Sequence, residues 1–241
     1  MIKSRISKQA SDLNIKAWNF RYCFGFRISN SESRGVAAFT ITELLVVIAL
    51  IIILAGLILS TIGYVQKKAA RSRAETEIAA ISAALENYKA DNGIYPRDPS
   101  PDTATDSLDA QKMNDAAGAN ATAYQLASLL LYRALSGDRD VNRLVDSRDE
   151  LVNIDGKQLT PQLTELPKTY FAPKPNQLSP SDQTKDVQFL RDPFGNSYGY
   201  STAYQRDVEN NVNPPKRGFN PTYDLWSTAG STDPNQWIKN W

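Results

Sequence analysis

The sequence predicts an α+β fold, with a long N-terminal α-helix packed on a small antiparallel β-sheet. Three observations carry that expectation. First, an uncharged and mostly apolar run of 20 residues extends from Leu44 to Gly63, enough for a helix to span the hydrocarbon core of a bilayer. Second, Ile78, Ile81, Leu85 and Tyr88 follow it at spacings of three or four with no intervening proline, one stripe of an amphipathic helix. Third, Val187–Leu190, Ser197–Thr202 and Thr222–Ser227 read as short strands, with Asp192-Pro193 and Gly195-Asn196 as turn signals between the first two.

Composition narrows the function. The 241 residues suit one domain of ordinary size plus a long N-terminal element. A net charge of +1 argues against nucleic acid as a partner. The chain has no histidine, which excludes Ser-His-Asp and Cys-His catalysis and most zinc sites. With no nucleophile motif and no paired carboxylates at catalytic spacing, the expectation is a protein that is not an enzyme. The single cysteine, Cys23, has no partner for an intrachain disulfide.

Taken in order, residues 1–38 read as a basic leader, with seven cations against two acids. Its length raises the expectation that the true start codon lies downstream of Met1. Residues 39–63 form the apolar half of the helix, and 64–92 the amphipathic half. Asn92-Gly93 supplies a stop, followed by Pro96. A helix from Phe39 to Asn92 would be roughly 80 Å long at 1.5 Å per residue. Glu75, Glu77, Lys89 and Asp91 lie off the apolar stripe. The basic run Lys67–Arg73 reads as an interfacial collar, facing lipid headgroups, acidic neighbours or solvent.

Residues 93–186 read as a variable loop region with a short helix, Tyr124–Ser136, that stops at Gly137. In the following stretch, DRDVNRLVDSRDE, Asp138, Asp140, Asn142, Asp146 and Asp149 fall at positions 1, 3, 5, 9 and 12, the spacing of a calcium loop. Arg143 stands at position 6, where the sharp turn calls for glycine, and position 12 is Asp followed by Glu150. A solvated charged turn is the competing reading. Leu159–Ser181 holds five prolines and reads as extended surface. Residues 187–241 form the small C-terminal sheet, with Tyr198, Tyr200, Tyr223 and Trp226 expected in its core or on the face covering the long helix.

One acid, Glu43, stands at the front edge of the apolar run, where a lone carboxylate is costly. The stretch AFTITELLVVIAL resembles the cleavage and methylation signature of prepilins, whose usual form is a small residue, then F-T-L-I-E and a long apolar helix. The resemblance implies that a prepilin peptidase cuts between Ala38 and Phe39 and that Phe39 is N-methylated. It also implies that Glu43 pairs with the Phe39 amine of the next subunit in a filament. A buried carboxylate and a buried ammonium are each costly alone and tolerable together. Ala38 departs from the usual Gly before the cut, and Ser60 stands where many family members carry Pro. Cutting after Gly35 instead would put uncharged Thr40 at mature position five. By charge alone the helix orients ambiguously, with two cations in the 20 residues before Leu44 and four in the 20 after Gly63. The signature implies a cytoplasmic leader and a C-terminal domain on the far side of the inner membrane, in the periplasm, crossed in a single pass.

DPFGNSYGY followed by YDLWSTAG and a terminal NW is similar to the C-terminal half of major pseudopilins of type II secretion systems. Together the resemblances cover Phe39–Pro96 and Leu190–Trp241. They imply a pilin-like fold and a structural subunit of a helical homo-filament that drives protein export. Its implied partners are copies of itself, prepilin peptidase, the inner-membrane secretion platform and minor pseudopilins. They also imply a possible calcium ion in the loop after YDLWS, where Asp233 is the one acid. Alternatives are a type IV pilin of a surface fibre for adhesion, motility or DNA uptake, and a membrane-tethered periplasmic domain or enzyme.

Overall fold

The computed structural model describes residues 39–98, 104–112, 122–161 and 163–241. The fold is α+β. Helix α1 (Ile41–Asn92, 52 residues) opens the described chain. It is continuous through Ser60, with no proline-type break there, as the lack of a proline dictates. The hydroxyls of Ser60 and Thr61 donate to the carbonyls of Leu57 (2.8 Å) and Ile58 (2.9 Å), which satisfies these polar groups inside the apolar stretch. At the other end the Gly93 N–H caps the Lys89 carbonyl at 2.7 Å, with Gly93 at φ +78°. Only glycine adopts that backbone without strain, so the Asn92-Gly93 stop is where the sequence places it.

The chain divides into two compact units, one ending at Ile52 and the other running from Ile53 to Trp241. In the second, α1 buries Ala74, Ile78, Ile81, Ala84 and Leu85, with Tyr88 packed against them. That is the predicted stripe. Its partners are Leu131 and Leu135 of α3 (Thr122–Ser136), the strand residues Leu190, Tyr200 and Leu225, and Tyr198 just before a strand. The helix expected at Tyr124–Ser136 thus forms, two residues longer at its start. Gly137 at φ +84° ends it.

The described residues form two small antiparallel sheets where one was expected. β1 (Leu178–Ser179) pairs with β2 (Phe189–Leu190). β3 (Gly199–Ser201), β4 (Asp224–Ser227) and β5 (Ile238–Lys239) form the second, with β4 in the centre. Strand β1 falls inside the proline-rich segment read as extended surface. Its two residues are too few to register as an alternating pattern. Two further short helices, α2 (Ala104–Ser107) and α4 (Ala203–Glu209), lie in stretches with no helical periodicity to announce them.

Tyr198, Tyr200, Tyr223 and Trp226 are all buried, as expected. Each polar tip of the first two finds a partner: Tyr198 donates to Glu77 at 2.7 Å and Tyr200 to the Pro96 carbonyl at 2.7 Å. Trp226 donates through Nε1 to the Tyr124 hydroxyl at 3.1 Å and stacks with Trp237. Its indole lies over Gly199, its cross-strand partner, where an added Cβ would meet Cε2 at 2.2 Å. Gly199→Ala is therefore expected to force the Trp226 ring out of place and cost about 1–3 kcal/mol. Thermal unfolding of the variant should show a melting temperature lower by several degrees; an unchanged value would mean that the ring has room to move.

Candidate functional site

Three places named by the sequence now have geometry. The first is the start of α1. Thr40 caps the helix: its hydroxyl accepts from the Glu43 N–H at 3.2 Å, while the Glu43 carboxylate accepts from the Thr40 N–H and hydroxyl, both at 2.9 Å. This reciprocal capping box is written in the sequence as Thr40-x-x-Glu43, a signal that reading the segment only for its charge overlooks. Both bonds use Oε2, which leaves Oε1 for another donor. Among the described residues no cation pairs with Glu43. Phe39 is 79% exposed, and every residue from Leu44 to Gly63 is exposed. α1 is long and apolar enough to cross a membrane. Ala38, the other half of the expected cleavage site, lies outside the described residues.

The second place is the loop after α3. Asp138 and Asp149 are buried and Asp140 is half-buried, and an oxygen of each converges within 4.8 Å of the other two. Asp149 organises the loop by accepting the backbone N–H groups of Arg139 (2.5 Å), Asp140 (3.0 Å) and Asp146 (2.8 Å). Asp138 Oδ2 accepts from the Tyr132 hydroxyl at 2.5 Å and the Arg143 N–H at 2.7 Å. Burial pushes the Asp138 carboxyl up to about 6, against those hydrogen bonds and with the negative charge of Asp149 adding to it. Arg143 adopts φ +75°, so the sharp turn forms without the glycine expected at this position. Its side chain explains the exchange. The guanidinium donates to the carbonyls of Lys185 (2.8 Å), Pro180 (2.7 Å) and Asp182 (3.2 Å), tying the loop to the proline-rich segment.

The remaining two loop candidates are engaged in other hydrogen bonds. Asn142 accepts from the Leu144 N–H and donates to Asp140. Asp146 is held down to about 2 by its hydrogen bonds from Arg148.

The third place is the C-terminal half. Asp192 is 2% exposed; its Oδ1 accepts from the N–H groups of Phe194 and Asn196, and its Oδ2 from the Ser227 hydroxyl at 2.5 Å. The DPFGN turn and the YDLWS strand are thus joined by one carboxylate, a structural task for Asp192, Gly195 and Asn196. Asp233 caps the short turn that follows, accepting from the Asn235 N–H at 2.9 Å and side-chain amide at 3.0 Å. Among the described residues it belongs to no group of three acids, and one carboxylate is too few for a hard dication. In the basic collar, Arg71 donates to the Gln236 carbonyl at 2.7 Å and pairs with Glu75.

Removing the Asp192 carboxylate leaves one buried and two partly buried donors without their acceptor. Asp192→Ala should destabilise the chain by about 2–4 kcal/mol, and Asp192→Asn, which keeps one acceptor oxygen, by less. Chemical denaturation of the two variants against the parent chain tests that order.

No protein-family model matches the chain, and no solved structure matches it either. Curated relatives do. An N-terminal stretch of 65 residues is 36% identical to type II secretion system core protein G of Vibrio cholerae serotype O1, covering 27% of this chain and 44% of that protein. The protein of the same name from Aeromonas hydrophila is 37% identical over 65 residues, 27% of this chain and 46% of its own. That from Pectobacterium carotovorum subsp. carotovorum is 38% identical over 68 residues, 28% and 42%. The chain spans less than half the length of these relatives. Within that span its N-terminal region is similar to type II secretion core protein G, as the AFTITELLVVIAL resemblance implies.

Proposed function

We propose that the chain is a structural subunit of a type II secretion pseudopilus, with a mechanical rather than a catalytic role. The observation that carries this reading is a wholly exposed apolar helix surface led by a single carboxylate, in a chain whose N-terminal region matches core protein G. Burying one Leu or Ile side chain is worth about 1.5–3 kcal/mol. Twenty mostly apolar residues left in water would cost on the order of tens of kcal/mol, more than the roughly 5–15 kcal/mol that hold a domain folded. The surface therefore needs a cover, and two are compatible with it in sequence: lipid before assembly, like helices after it.

In this reading prepilin peptidase removes residues 1–38 on the cytoplasmic side of the inner membrane. The globular unit stands in the periplasm. α1 then moves from lipid into a bundle of neighbouring α1 helices, exchanging one apolar surrounding for another. A like-with-like contact that does not close on itself builds a helical filament. Glu43 sets the axial step: its Oε1 takes the Phe39 ammonium of the neighbouring subunit while Oε2 stays engaged with its own Thr40. The secretion platform and minor pseudopilins are the partners such a filament needs.

Two measurements test this. Intact mass and N-terminal sequencing of membrane-extracted protein should find N-methylated Phe39 as the first residue, leaving 203 of the 241 residues. A chain that keeps its leader would point to a static anchor instead. Glutamine at position 43 preserves the capping box but not the charge. Glu43→Gln and Glu43→Ala should both abolish filament formation and export while protein levels hold. Assembly that survives Glu43→Gln would reduce Glu43 to a helix cap and remove the ion pair from the mechanism.

A further inference from the structure

The loop after α3 carries more acid than its own subunit neutralises. Asp138 and Asp149 are 2% and 0% exposed, and neither is in a salt bridge among the described residues. The cation at this loop's ion pairs is Arg148, which lies 3.5 Å from Asp140 and 2.8 Å from Asp146 with 61% of its side chain exposed. Asp149 has its charge met by three backbone N–H groups. Asp138 does not: Oδ2 has its two donors, but Oδ1 is buried and has no hydrogen-bond partner. A buried carboxylate oxygen without a donor is costly. Here it belongs to a residue on which two more carboxylates converge.

We propose that Asp138, Asp140 and Asp149 form a calcium site, with Asp138 Oδ1 as a buried ligand. The chemistry of the donors selects the ion. All three are hard carboxylate oxygens, with no imidazole or thiolate near them among the described residues, so the cation is a hard one. Oxygens spread over as much as 4.8 Å fit across an ion bound at about 2.3–2.6 Å, whereas magnesium holds its ligands at about 2.0–2.1 Å in a strict octahedron. Asp140, half-buried, gives the ion its path to solvent and room for water ligands. Arg148 stands at that mouth as the competing cation, and because it is mostly exposed its displacement is cheap. Bound calcium would brace the loop against the end of α3, where Tyr132 already holds Asp138. The loop lies in the globular unit, so binding is measurable whether or not the chain assembles.

The test uses the full chain purified in detergent and treated with chelator, then titrated with calcium by calorimetry. Terbium serves as a luminescent stand-in, since the Tyr132 ring beside Asp138 is placed to sensitise it. One saturable site is expected, with calcium displacing terbium. Asp140→Asn, at the accessible position with the least risk to folding, should weaken binding by about tenfold or more, because removing ligand charge lowers affinity. Arg148→Gln should strengthen it by roughly two- to tenfold, because a competing charge is gone. The opposite signs separate a binding site from general damage to the loop. Absence of saturable calcium binding at millimolar concentrations overturns the proposal. So does an affinity indifferent to both substitutions, or a site that magnesium fills as tightly as calcium.

Discussion

A helical surface of twenty residues that the other described residues leave uncovered is the constraint on which this molecule depends. Among the described residues the globular unit spends its apolar side chains on a separate stripe of α1, from Ala74 to Leu85, and on the two sheets. In the proposed reading the cover comes from outside, and its nature is restricted. It must be apolar, extend over the length of a bilayer core, and offer nothing to hydrogen-bond. The chain meets that last condition from its own side: the Ser60 and Thr61 hydroxyls turn back to their own helix. In the proposed reading the helix enters lipid or a bundle of its own kind with both of these hydroxyls already paired.

The globular unit answers a different demand, holding itself together with a small core. Its strands are two to four residues long, too short to stand by hydrogen bonding alone. Large aromatic rings take over. Trp226 fills the space that Gly199 leaves open, and Tyr198 and Tyr200 pack on α1 while their hydroxyls reach Glu77 and the chain after the helix. Asp192 then fastens the turn before β3 to the end of β4. Sequence motifs far apart, DPFGN and YDLWS, are therefore one structural device.

What was legible in the sequence follows from this division. Long-period signals translate directly: the apolar run, the stripe at Ile78, Ile81 and Leu85, the stop at Asn92-Gly93 and the helix ending at Gly137 each stand where their spacing put them. Strands β2, β3 and β4 form inside the three segments read as strands, but the other short elements were not legible. β1, β5, α2 and α4 are held by contacts distant in sequence, and two to seven residues carry too little periodicity to show it. At the helix start, attention to the charge of Glu43 hid the capping box it forms with Thr40. In the acidic loop the spacing of Asp138, Asp140 and Asp149 was visible, but Arg143 counted against it as a missing glycine. Only the folded chain shows that its backbone takes the left-handed turn regardless and that its guanidinium is employed on three carbonyls.

Glu43 and Asp138 pose one electrostatic question in two settings. Each is a carboxylate with one oxygen engaged by its own chain and the other lacking a donor, and neither is in an ion pair among the described residues. Their surroundings determine what completes each. Glu43 stands on an exposed helix end flanked by apolar surface, so a cation reaching it must arrive with apolar surface of its own, which a second helix terminus brings. Asp138 is enclosed, with two further carboxylates closing on it, so the cation must be small, carry more than one charge and accept oxygen from several sides. A subunit amine satisfies the first and not the second. A bare metal ion satisfies the second, but it lacks the apolar flank that would hold it at the first.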